Sequence, residues 1–170
     1  MGPLGSTGVG QRAPDFHCRA VVQALIEDVT LSSYINEKNQ WLILMFFPTA
    51  FSSIYQTEVL DFQSHLDEFQ DRNCNVVFCS VNQEYSLWHW QNLPQEYGGL
   101  GRTEIALLSD ATHNMSRDYG VLVEEEGVCL RSMFIVDQSG TIQEATLNEL
   151  RGPSAREALR RLDASLATAK

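Results

Sequence analysis

Apolar residues recur along this chain with two periods, and the periods sort it into strands and helices. Residues 41–46 (Trp-Leu-Ile-Leu-Met-Phe) are apolar without interruption, the pattern of a strand buried on both faces. Val59, Phe62, Leu66 and Phe69 then recur at spacings of three and four, which predicts an amphipathic helix over 53–70. Shorter runs predict strands at 19–22, 28–31 and 75–81, and a short helix at 85–91 that is broken by Pro94 and the glycines at 98–101. A turn of helix follows near 112–119. Strands at 128–136 and 141–147 form a hairpin across Asp137-Gln138-Ser139-Gly140, and Ser154 caps a last helix running to about 166. Strands alternating with helices in this order predict an α/β chain with a mixed sheet and helices on both faces.

Composition narrows the function classes. The 170 residues are 44% hydrophobic and 20% charged, enough to bury a continuous core. Residues 1–8 are expected to be a vector remnant and flexible start, with Met1-Gly2-Pro3-Leu4-Gly5-Ser6 as the tag, and 9–170 one domain. A net charge of −10, from 22 acidic against 12 basic residues, argues against a nucleic-acid surface. Apolar runs fall short of the ~18 residues a membrane span needs. The expected location is cytoplasmic, with the nucleus as the alternative. Glu124-Glu125-Glu126 before Gly127 predicts a solvated hairpin tip.

Cys18, Cys74, Cys79 and Cys129 make no CxxC pair, and His17, His65, His89 and His113 are scattered, so neither metal nor cofactor is expected. Cys74 and Cys79 bracket an apolar segment and read as small buried hydrophobes. The chemistry concentrates instead where the run at 41–46 feeds the helix at 53. Unpaired N–H groups of a first helical turn favour negative charge, so a strand end meeting a helix start can hold an oxyanion or acidify a thiol.

That junction reads Pro48, Ser52, Tyr55, Gln56, Thr57, Glu58 and resembles the active-site motif of the peroxiredoxins, in the typical two-cysteine, AhpC/TSA-like branch. Ala13-Pro14-Asp15-Phe16, Gly98-Gly99-Leu100-Gly101, Leu107-Leu108-Ser109-Asp110, Asp118-Tyr119-Gly120-Val121-Leu122 and Arg131-Ser132-Met133-Phe134-Ile135-Val136-Asp137 fall in the family's order, so the resemblance spans Ala13 to about Leu162. It implies the thioredoxin fold with the family's insertions. It also implies that Ser52 and Arg131 match the groups that hold peroxide, and that Tyr55 stands where the family places its peroxidatic cysteine. The family's glutamate at position 58 pairs with an arginine after a glycine near the last helix; here Pro153 follows Gly152, and Arg151 is the expected substitute. The resemblance places a resolving cysteine in a C-terminal tail beyond the last helix, and the sequence as given, ending at Lys170, does not include that tail.

A phenol with a pKa of ~10 is scarcely ionised at neutral pH and cannot become a sulfenic acid. The ring of Tyr55 is therefore expected to fill the peroxide entrance, with its hydroxyl bonded to Ser52, Arg131 or water. Cys129 lies two residues before Arg131, which on a regular strand puts both side chains on one face and makes Cys129 the candidate substitute thiol. The resemblance further implies a homodimer through the edge strand from Thr141 to Asn148, and contacts through Phe51, Ser86 and the nearby Trp88 that join dimers into a decameric ring. The function expected on these grounds is a catalytically inactive pseudoenzyme, with no catalytic residues, that oligomerises or binds an unidentified protein. The alternatives are a residual thiol peroxidase or redox sensor working through Cys129, and a holdase-like chaperone.

Overall fold

The computed structural model describes residues 8–35, 39–147 and 154–169. Its centre is the uninterrupted apolar run, now strand β3 (Trp41–Phe46), with all six side chains buried. Alternation divides them between two cores. Ile43 and Met45 enter one with Val59, Phe62 and Trp90, while Leu42, Leu44 and Phe46 enter the other with Met115 and Tyr119. Each such side chain contributes roughly 1.5–3 kcal/mol by leaving water, so β3 stabilises both layers at once.

Around β3 stand β1 (His17–Val22), β2 (Leu25–Thr30), β4 (Cys74–Ser80), β5 (Ala106–Ser109), β8 (Ser132–Val136) and β9 (Ile142–Leu147). They form a seven-stranded sheet in the order β2-β1-β5-β4-β3-β8-β9. The β3–β4 and β4–β5 pairs are parallel and the others antiparallel. Helices α1 (Ser53–Ser64), α2 (Leu66–Asp71), α3 (Glu84–Asn92) and α5 (Ala155–Thr168) cover the first core, and α4 (Asn114–Asp118) covers the second. The expected mixed sheet with helices on both faces is what the chain forms. No helix among the described residues is long and apolar enough to cross a membrane.

Several boundaries differ from the sequence pattern for local reasons. The helix expected over 53–70 is two, because at His65 the chain tightens: its N–H reaches the Phe62 carbonyl at 3.1 Å, and Ser64 Oγ bonds the Asp61 carbonyl at 2.7 Å. Leu66 and Phe69 still reach the first core. The strand expected over 128–136 is interrupted at Leu130-Arg131. Its first part, β7 (Val128–Cys129), pairs with β6 (Leu122–Val123) in a separate hairpin, and the Leu130 N–H bonds the Val121 carbonyl at 2.7 Å. The acidic triplet sits at the tip of that hairpin, as its composition implied. Strand β5 went unrecognised, since four residues flanked by polar loops carry too short a pattern to score.

The β1–β2 hairpin turns through Gln23 and Ala24, both at positive φ (47° and 72°). An alanine there bears a strain that glycine would not. Helix α3 holds the turn in place: Trp88 Nε1 donates to the Ala24 carbonyl at 2.9 Å, and Gln91 Oε1 accepts the Ala24 N–H at 3.0 Å.

The β8–β9 hairpin is organised by Asp137, whose carboxylate accepts the Ser139 N–H (2.9 Å), Ser139 Oγ (2.6 Å), the Thr141 N–H (3.0 Å) and Gln143 Nε2 (2.7 Å). Partial burial pushes its pKa up, but these donors outweigh that and hold it below the ordinary aspartate value. A depressed carboxylate pKa stabilises the fold above the unfolded-state value and loses that contribution as pH falls through the folded value. Asp137→Ala is expected to cost about 1 kcal/mol at neutral pH. In urea unfolding at a series of pH values, the gap between wild type and variant should narrow below about pH 4; a gap that widens in acid would assign the cost to something other than the carboxylate.

Candidate active site at the start of the first helix

Pro48 closes β3, because it has no N–H to continue a ladder. The chain then turns on bonds from the end of β4: the Phe47 N–H reaches the Cys79 carbonyl at 3.0 Å, and the Ala50 N–H reaches Asn82 Oδ1 at 2.9 Å. Phe51 sits in the left-handed region (φ 64°) and is 53% exposed, a strained placement for an aromatic residue. Ser52 occupies the N-cap position with extended backbone, yet its hydroxyl makes no capping bond, and no acidic residue lies in the first turn of α1. The N–H groups of this turn are thus left to other partners.

Tyr55 is half-buried against Phe47, with ring centroids 5.8 Å apart. No hydrogen bond joins its hydroxyl to Ser52 or Arg131 among the described residues. Burial pushes the phenol pKa up; Glu58 adds to this and the neighbouring Arg131 opposes it. The phenol is neutral at physiological pH.

Glu58, 7% exposed and one turn further along α1, meets Arg131 from the link between β7 and β8. Arg131 Nε donates to Glu58 Oε1 at 3.1 Å and Nη2 donates to Oε2, a two-point fork. Burial pushes the Glu58 carboxyl up in pKa, and the Arg131 guanidinium pulls it down. The strand position of Arg131 therefore has the polar partner that an arginine among Leu130, Met133 and Phe134 requires. That partner is Glu58. Arg151, expected to serve it, lies outside the described residues.

Cys129 does not join this site. Because the strand breaks at Leu130-Arg131, simple alternation fails, and Cys129 (1% exposed) enters the second core while Glu58 approaches Arg131 from the α1 side. The thiol lies 3.1 Å from Ser116 Oγ, which itself donates to Asp110 Oδ2 at 2.6 Å; the sulfur is thus the donor to the serine oxygen. Burial, with the neighbouring Asp110, pushes the Cys129 pKa up to about 12. Cys74 and Cys79 are buried strand residues, as their bracketing of an apolar segment implied. Cys18 alone among the four is half-exposed, in a cleft of about 240 Å³ lined in part by His17, Arg19, Asp28 and Glu84. Burial, with Asp110 and Asp28, raises its pKa to about 12.

One further contact could not be read from the sequence, where Gln56 stands only as one residue of the junction that resembles the motif. Gln56 Nε2 donates to the carbonyls of Gln95 (3.0 Å) and Gly99 (2.9 Å), crossing from α1 to the glycine loop. A side chain at Gly99 is impossible, since a Cβ there would lie 2.0 Å from the Leu93 carbonyl oxygen.

The mixed sheet with its helices is the thioredoxin-like fold of the peroxiredoxins, and solved structures share it. The reduced 2-Cys peroxiredoxin of Plasmodium vivax superposes with a TM-score of 0.89 at 33% identity, covering 96% of this chain and 84% of that one. Residues 9–145 match the AhpC/TSA family, and the chain belongs to it. It is 43% identical over 153 residues to peroxiredoxin TSA2 of Saccharomyces cerevisiae, covering 89% of this chain and 76% of that one. It is 41% identical over 157 residues to the thioredoxin peroxidase of Echinococcus granulosus, covering 92% and 80%. These relatives overturn the expectation of a non-enzymatic pseudoenzyme: over most of its length the chain resembles proteins named as peroxidases and peroxiredoxins.

The Glu58–Arg131 pair makes a stability prediction. Removing one partner of a buried pair strands the other charge, at a cost of about 3 kcal/mol, whereas replacing both with apolar groups is far cheaper. Glu58→Ala should lower the urea midpoint strongly, and Glu58→Leu combined with Arg131→Met should recover much of the loss. If the double variant loses the sum of its two single losses, the fork carries no coupling.

Proposed function

We propose that this chain reduces peroxide with thiol equivalents, as the names of its relatives describe for them. The reading is supported above all by 43% identity across 89% of the chain to a protein named a peroxiredoxin. Tyrosine holds the position that the motif gives to the nucleophile, so the thiol must be one of the chain's cysteines. Cys18 has the solvent access, and Cys129 stands nearest to Arg131 in the sequence. The thiolate attacks one peroxide oxygen, forming the S–O bond as the O–O bond breaks; the departing oxygen takes a proton and leaves as water or alcohol. An external thiol then displaces water from the sulfenic acid to give a mixed disulfide, and a second thiol restores the cysteine.

Steady-state peroxide loss in the presence of a dithiol tests this. Thiol-dependent turnover above that of a variant lacking all four cysteines is expected, together with its loss in Cys18→Ser or in Cys129→Ser. With the candidate thiols titrating near 12, the thiolate is scarce at neutral pH, and the rate should climb about tenfold per pH unit from 7 upward. Turnover equal to that of the cysteine-free variant would end the proposal.

The same reading includes self-association. Strand β9 is an edge of the sheet, its Leu147 is 41% exposed, and an unpaired edge is a template for a second copy. Asn148, the last residue of the expected pairing strand, lies outside the described residues. Phe51, Ile54 and Tyr85 add exposed apolar surface near the site. Light scattering should give at least a dimer, and Thr146→Pro, which removes a donor from that strand, should shift the mass toward the monomer. A monomer at micromolar concentration would refute the pairing.

A further inference from the structure

We propose that Gln56 is a positioning residue that fastens the first turn of α1 to the glycine loop and so holds the geometry of the site. That turn is poorly secured by its own sequence. Ser52 supplies no capping bond, the first turn has no acidic residue, and the preceding Phe51 sits at a strained positive φ. Each of these favours fraying. Against them stands one amide whose two hydrogens are both spent on carbonyls 39 and 43 residues away, at 3.0 and 2.9 Å.

The acceptor side is rigid. The Pro94 carbonyl accepts both the Tyr97 and Gly99 N–H groups, at 3.0 and 3.1 Å, and the Leu93 carbonyl accepts from Gly101 at 2.9 Å. Trp90 Nε1 donates to the Gly98 carbonyl at 3.0 Å, and the backbone at Gly99 packs too tightly against Leu93 for any other residue. Gln56 is thus an anchor from a helix turn to a loop that cannot move away. The turn it anchors follows Ser52, carries Tyr55 and leads into the turn that holds Glu58. The inference stands apart from the peroxidase reading, because its measurements do not involve peroxide.

Hydrogen exchange on the full chain tests it. Loss of two hydrogen bonds of ordinary strength should speed exchange of the amides at 54–58 by about tenfold in Gln56→Ala, with those at 60–64 unchanged. Gln56→Glu keeps the shape without the donors and should behave like alanine; Gln56→Arg restores donors and should recover part of the protection. A packing role would spare the glutamate variant. As a second readout, a reporter thiol placed by Tyr55→Cys should titrate below the free value of about 8.5 beside Gln56, and closer to it beside Gln56→Ala. Unchanged exchange in both the alanine and glutamate variants, or a reporter thiol indifferent to Gln56, would overturn the proposal.

Discussion

The buried fork between Glu58 and Arg131 is the constraint around which the site is arranged. Neither charge can be left alone where it sits, so each fixes the position of the element that carries the other. On one side this sets how α1 leans on the sheet. On the other it accounts for the interruption between β7 and β8: Leu130 turns its N–H to Val121, and Arg131 is released to reach across to α1. The same break sends Cys129 into the opposite core. One ion pair thus separates the best-supported arginine of the chain from the cysteine nearest to it in sequence.

The fold was legible in the sequence wherever burial is two-sided or a cap is explicit. Residues 41–46 could be nothing but a central strand, and Ser154 does accept the Glu157 N–H at 3.2 Å at the start of α5. Residues 53–70 and 128–136 misled because hydrophobic spacing survives a break of one residue at His65, or of two at Leu130-Arg131, that only backbone bonding reveals. At the site, Ser52, Tyr55, Glu58 and Arg131 were found by motif, but their partners were not. Glu58 takes Arg131, and the Tyr55 hydroxyl takes neither residue expected of it. Long-range side-chain bonds such as those of Gln56 leave no periodic trace at all.

The functional expectation failed for a related reason. It weighed one position, Tyr55, above the rest of the chain, whereas the relatives weigh the whole length from residue 9 onward. What the structure adds is a division of labour by layer. The helix start and its ion pair belong to the α1 side, while Cys18, Cys79 and Cys129 belong to the core shared with α4 and the β6–β7 hairpin. The pKa values of Cys18 and Cys129 are therefore set chiefly by burial in that second layer.

The turn at Gln23 and Ala24 bears on how the start of the chain is fastened. A hairpin usually closes early, because its strands are neighbours in sequence and its turn residues prefer the bend. Here the bend is unfavourable for alanine, and the bonds that hold it come from side chains 64 and 67 residues downstream. The β1–β2 ribbon therefore owes its bend to a helix more than sixty residues downstream, so the start of this chain is fastened by its middle rather than by its own turn.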